Sequence, residues 1–198
     1  MNTCNIILAG VGGQGVLLFA EVLGEAAVME GFNVRVSEIH GMAQRGGAVV
    51  SDVRIGEKAV SPTVLEGTAD AIVGLEPLEA LRNIKFANER SVVIINTATI
   101  KPSGVPQNAV YPKLEDIIEK IRLFTKNIIT IDATDMARML GNVNVLNIVM
   151  LGALTATGKL PLKSETIQSS IKESVSRRFV EINMKAFEAG YNKILSGR

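Results

Sequence analysis

Ile6-Ile7-Leu8-Ala9-Gly10-Val11-Gly12-Gly13-Gln14-Gly15-Val16-Leu17-Leu18 reads as a short apolar strand that runs into a glycine-rich turn and then into a helix. Gly10, Gly12 and Gly15 stand in the G-x-G-x-x-G spacing. In that spacing Gly10 is expected to allow a tight turn, Gly12 to let backbone approach a ligand, and Gly15 to let the new helix pack closely on the strand. The unpaired N–H groups at the helix start and the helix dipole, flanked by Gly13 and Gln14, make a seat for an anion such as phosphate or carboxylate. Two readings follow: a ligand seat, or glycines that serve strand–helix packing alone. Gln14 likewise either donates a hydrogen bond at the seat or faces solvent in the first turn.

Outward from this stretch, strand and helix patterns alternate. Val16 to Glu30 carries a recurring apolar face and stops at Gly31, and Asn33 to Glu38 follows as a second strand. Gly47 to Arg54 alternates as a third strand, and Asp70 to Leu75 is an apolar run typical of a buried parallel strand. A helix from Pro77 to about Ala87, a strand from Val92 to Asn96, a helix from Leu114 to Phe124 and a strand from Asn127 to Ile131 continue the pattern. Lys101 to Pro106 is a loop rich in breakers, and Asp132 to Asp135 supplies a helix cap. From Asn142 the pattern becomes helical, over Val145–Thr157, Ser164 to about Val175, and Arg177–Ile194. The expected fold is α/β: a Rossmann-like, doubly wound, mostly parallel sheet with helices on both faces and a C-terminal all-helical extension. We read 1–198 as one domain, with 142–198 as its helical C-terminal part.

Composition narrows the function. A net charge of +1 gives no electrostatic claim on nucleic acid or membranes, and neither is expected as a partner. Aromatics at 4 %, with no Trp, leave little for base stacking. Cys4 is the only cysteine, so this chain can make no internal disulfide, no cysteine-ligated cluster and no zinc ribbon, and no metal site is expected. The residues before Ile6 lack a basic n-region, and Val143–Ala156 is too short and too interrupted to span a bilayer core of about 30 Å. A cytoplasmic location is expected.

A second informative stretch is Ile39-His40-Gly41-Met42-Ala43-Gln44-Arg45-Gly46-Gly47, read as a loop between strands. Arg45 beside Gly46 and Gly47 joins a guanidinium to accessible backbone N–H groups, which suits a carboxylate or phosphate. His40, the one histidine, is an acid–base candidate or an ordinary polar residue. Glu38 lies where a dinucleotide fold carries its ribose-binding acid, or it is a solvated or ion-paired carboxylate. The Glu38 alternative implies a free-standing NAD(P)-dependent oxidoreductase; the chain lacks a Tyr–Lys pair at helical spacing, since its tyrosines are Tyr111 and Tyr191. A third reading is an anion-binding module that regulates a different complex.

Gly10-Val11-Gly12-Gly13-Gln14-Gly15 together with Met42-Ala43-Gln44-Arg45-Gly46-Gly47 resembles the gamma domain of the 2-oxoacid:ferredoxin oxidoreductases, and the second motif is most similar to the indolepyruvate type. Val92-Val93-Ile94-Ile95-Asn96-Thr97 also fits the family, and the resemblance covers essentially the whole chain. It implies an accessory subunit that is inactive alone, and no catalytic residue is expected in this chain. By the resemblance, a large alpha subunit carries thiamine diphosphate, magnesium and 4Fe-4S clusters, coenzyme A is co-substrate, and electrons leave to ferredoxin. The positions carried over for contact with coenzyme A or substrate are Gly10, Gly12, Gly13, Gln14, Gly15, Arg45, Gly46 and Gly47, with polar contacts from His40, Glu38, Asn96 and Thr97. A homodimer of the isolated chain is a further expectation, and a gamma subunit acting on pyruvate or 2-oxoisovalerate is the neighbouring alternative.

Overall fold

The structure, a computed structural model, describes residues 3–41, 46–100 and 110–197. Met42, Ala43, Gln44 and Arg45 of the second motif and the loop 101–106 lie outside the described residues, as does the side chain of His40.

The strands are β1 (Cys4–Val11), β2 (Val34–His40), β3 (Ala48–Ile55), β4 (Ala71–Gly74), β5 (Val92–Asn96) and β6 (Ile128–Ile131). They form a six-stranded sheet in the order β2-β3-β1-β4-β5-β6. β4, β5 and β6 run parallel to β1, while β3 is antiparallel to both β1 and β2. The mostly parallel sheet is therefore as expected, with one reversed strand inside it. The helices are α1 (Val16–Met29), α2 (Pro77–Arg82), α3 (Leu114–Ile121), α4 (Ala133–Met139), α5 (Leu146–Ala156), α6 (Ser164–Ser174) and α7 (Val180–Leu195).

Pleat alternation divides the core. Ile6 and Leu8 of β1 face a cluster with α1, α5, α6 and α7, whereas Ile7 faces a smaller one with α2 and α3. β4 and β5 are buried along their whole length, which is why they read as unbroken apolar runs. Each fully buried Ile or Val there contributes roughly 1.5–3 kcal/mol of transfer free energy. The helical C-terminal part shares the larger cluster: Met150, Leu154 and Phe187 are buried with Leu8 and Phe19.

Several boundaries differ from expectation. β1 continues through Gly10, which pairs with Val49, so the turn begins only at Gly12. β2 extends to His40, placing Glu38 and His40 in a strand rather than at its end and in a loop. The helix expected to run to Ala87 stops at Arg82 and gives way to a 3-10 turn over Ile84–Phe86. α6 starts at Ser164 as expected, with Lys163 in the cap position and no side-chain cap bond. Asp132 does cap α4, its carboxylate accepting from the Asp135 N–H at 2.9 Å.

Candidate functional site: the switch point and its glycine turn

Parallel α/β sheets bind ligands at the carboxyl ends of their strands, where the strand order changes direction. Here that place lies between β1 and β4. The turn from Gly12 to Gly15 sits over it, with Gly13 at φ 102° and Gly15 at φ 80°, a backbone region open to glycine at little strain. Gly15 is also the cap residue of α1, and no side chain bonds the N–H groups of that first turn.

The Gln14 side chain fills the crevice. It is buried; its Oε1 accepts from the Val11 N–H at 2.7 Å and its Nε2 donates to the Leu75 carbonyl at 2.8 Å. A Cβ on Gly10 would lie 3.0 Å from that Oε1, so Gly10 makes room for the amide rather than for a turn. Asn96 closes the crevice from β5, donating from Nδ2 to the same Leu75 carbonyl at 2.9 Å and to Thr134 Oγ1 at 2.9 Å. Thr97 continues the β5–β6 pairing with an N–H to the Ile131 carbonyl at 3.0 Å. Gln14 is thus neither a solvent-facing residue nor a free donor. Gln14 and Asn96 together lock β1, β4, β5 and α4 where a dinucleotide would otherwise lie.

The two glycine motifs meet. The Gly12 N–H donates to the Gly47 carbonyl at 2.8 Å, and the Gly46 N–H donates back to the Gly12 carbonyl at 3.4 Å. This clasp holds Gly46 and Gly47 of the second motif against the first and engages the N–H that Gly12 would have offered a ligand. Glu38 lies on β2, with β3 between it and β1, so about two strand spacings of roughly 4.8 Å separate their backbones. In a dinucleotide fold the ribose acid ends the strand directly beside β1, and here β3 takes that place.

Asn147 of α5 ties the turn from the other side. Its Nδ2 donates to the Gly15 carbonyl at 3.1 Å, and its buried Oδ1 has no partner among the described residues. Across the sheet, Glu76 is fully buried at the start of α2 and accepts from the Glu79 N–H at 3.0 Å, the Ile100 N–H at 3.4 Å and the Tyr111 hydroxyl. Burial, reinforced by that bond to Glu76, pushes the Tyr111 hydroxyl far above its ordinary range. Burial also raises Glu79, against the pull of Arg82 2.6 Å away. The sequence offered a signal for Glu76, an acid just before Pro77, but none for its pairing with Tyr111 or for Asn147.

Outside the turn lies a cavity of about 490 Å³, lined by the backbone of Gly12, Gly13 and Gly15 and by Val11, Leu17 and Val49. Among the described residues its side-chain lining is apolar and includes no acid–base pair. No group of three potential metal ligands exists among the described residues. The buried Cys4 thiol, pushed up to about 12 by its burial, is no nucleophile at neutral pH.

A model of the pyruvate ferredoxin/flavodoxin oxidoreductase family matches residues 5–193. The chain belongs to that family. It is 42 % identical over 195 residues to the indolepyruvate oxidoreductase subunit IorB of Archaeoglobus fulgidus, covering 98 % of this chain and 96 % of that protein. To the pyruvate/ketoisovalerate oxidoreductases common subunit gamma of Pyrococcus furiosus it is 30 % identical, covering 93 % of each. Among solved structures, the gamma subunit of a keto/oxoacid ferredoxin oxidoreductase from Geobacter sulfurreducens superposes with a TM-score of 0.71 at 27 % identity, over 98 % of this chain and 99 % of that one. No described helix is long and apolar enough to cross a membrane.

Proposed function

We propose that this chain is the accessory subunit of an indolepyruvate:ferredoxin oxidoreductase, which converts aryl 2-oxoacids to aryl-acetyl-CoA while reducing ferredoxin. The observation that carries this is the 42 % identity to an indolepyruvate oxidoreductase subunit along nearly the whole of both chains, against 30 % for a pyruvate/ketoisovalerate gamma subunit. The chemistry of the chain agrees: one cysteine cannot ligate a 4Fe-4S cluster, and the switch-point crevice is filled by Gln14. Thiamine diphosphate, magnesium and the clusters belong to a large alpha subunit in this reading, and the chain works in the cytoplasm as one domain.

What the chain brings is a shaped surface beside the partner's active site. The bonds between Gly12 and Gly46–Gly47 present the turn, and we assign coenzyme A or the 2-oxoacid carboxylate to Arg45, the residue next to Gly46 in sequence. Copurification with the large subunit, followed by assay of indolepyruvate- and coenzyme A-dependent dye reduction, tests the assignment. Activity that appears only with both chains supports it. A chain that instead binds NAD alone would return Glu38 to consideration and remove the accessory role. In the assembled enzyme, Arg45→Ala should raise the KM for coenzyme A or oxoacid about tenfold or more, the scale of a lost charge-assisted contact; unchanged kinetics would clear Arg45 of that role.

A further inference from the structure

Beyond the glycine turn, a second cavity of about 310 Å³ opens between the α4–α5 connection and the start of α7. Leu18 lines both cavities, so they meet along the first turn of α1. The second is lined by Asn144, Val145, Val175, Ser176 and Phe179 besides Leu18. Phe179 is 40 % exposed and the adjacent Val143 43 %, a large apolar exposure for two neighbouring elements.

Two arginines flank this cleft in sequence, between its lining residues Ser176 and Phe179. Arg177 and Arg178 form the 3-10 turn that leads into α7, at the positive end of a helix of 16 residues. Cations there oppose the helix dipole. Neither arginine has a carboxylate partner among the described residues, and the guanidinium of Arg178 stacks 4.6 Å over the Phe179 ring instead. The neighbouring carboxylates in sequence are Glu173 and Glu181, and Glu181 is already bonded by Lys185 at 2.6 Å. Both arginines are exposed and so are free to meet an acidic group from outside the chain. Asn144 is exposed and its side-chain amide has no partner among the described residues, so it can bond both the N–H and the C=O of a passing peptide.

We propose that this cleft docks an extended acidic segment of the partner subunit. An apolar side chain of that segment packs against Phe179 and Val145, its backbone bonds Asn144, and its carboxylates meet Arg177 and Arg178. The charge complementarity selects an acidic occupant, and the amide at Asn144 selects a polypeptide. The inference rests on the accessory-subunit reading for the identity of the partner.

The test uses the full chain, alone and assembled with the large subunit, under hydrogen exchange. Protection of 142–146 and 174–180 on assembly is expected. The exposed double variant Arg177→Glu/Arg178→Glu should keep its melting temperature and assemble roughly tenfold more weakly, with a shallower dependence on salt. Assembly that leaves the cleft unprotected, or that the double variant does not weaken, overturns the docking proposal and spares the accessory reading. Failure to assemble at all overturns both. Protection of the same segments by coenzyme A alone would reassign the cleft to a small molecule and also overturn it.

Discussion

Glycines make room for side chains at the switch point and for backbone where α5 crosses α7. A Cβ at Gly15 would stand 2.5 Å from Asn147 Nδ2, and one at Gly10 would stand 3.0 Å from Gln14 Oε1. At the crossing, a Cβ at Gly152 would lie 2.1 Å from the Phe187 carbonyl oxygen and one at Gly190 only 1.8 Å from that of Val149. A side-chain amide can rotate away at the loss of its hydrogen bonds. A carbonyl inside a helix can move only if the helix moves. The turn is therefore adjustable, and the crossing holds the C-terminal helices at a fixed distance from each other and so from the sheet.

The largest effect expected is at the crossing. Gly190→Ala and Gly152→Ala should each lower stability by about 3 kcal/mol or more, the upper range for overpacking, as read from denaturant midpoints. A loss below about 1 kcal/mol would mean that α7 slides on α5, and the contrast between the two regions would fail. Next comes Gln14→Ala, which strips the Val11 N–H of its partner while Leu75 keeps Asn96; a loss of about 2 kcal/mol is expected. Gln14→Glu sharpens this, because it keeps the acceptor for Val11 but turns an anion toward the Leu75 carbonyl. It should be less stable than wild type at neutral pH and recover on acidification, when the protonated carboxyl can donate as the amide did.

These contrasts also mark what was legible in the sequence. The glycine turn was readable because its spacing is local, and β4 and β5 were readable because strands covered on both faces need unbroken apolar runs. The helical C-terminal part was readable by period, yet nothing in Gly152 or Gly190 announced that they meet, since they lie far apart in the chain and each alone looks like a helix weakener. The position of β3 was hidden for a similar reason. Alternation identified Gly47 to Arg54 as a strand but could not place it between β1 and β2, and that placement sets Glu38 two strands away from β1. The role of Gln14 stayed open in the sequence because burial of a polar side chain depends on partners distant in the chain, here Leu75. The second motif was legible as a glycine loop, whereas its clasp on Gly12 required the register of β1 on β3.

The smallest expected effects lie within the turn, and there the comparison can be made almost residue by residue. Gly13 and Gly15 both have positive φ, but a Cβ on Gly13 would meet none of the described residues within 4 Å. Gly13→Ala should then cost only the backbone conformation, about 1–2 kcal/mol. Gly15→Ala adds the displacement of Asn147 and the loss of its bond to the Gly15 carbonyl, so it should cost more. Combining it with Asn147→Ala separates the two contributions. The double variant removes the two closest approaches, to Nδ2 and Cγ, and leaves only the residue 147 Cβ at 3.3 Å; it also removes the buried Oδ1 that lacks a partner, so Gly15→Ala measured in the Asn147→Ala background should fall close to the Gly13→Ala value. If it does not, Asn147 yields without cost in the wild-type turn, and the packing of α5 against Gly15 is looser than the 2.5 Å approach requires.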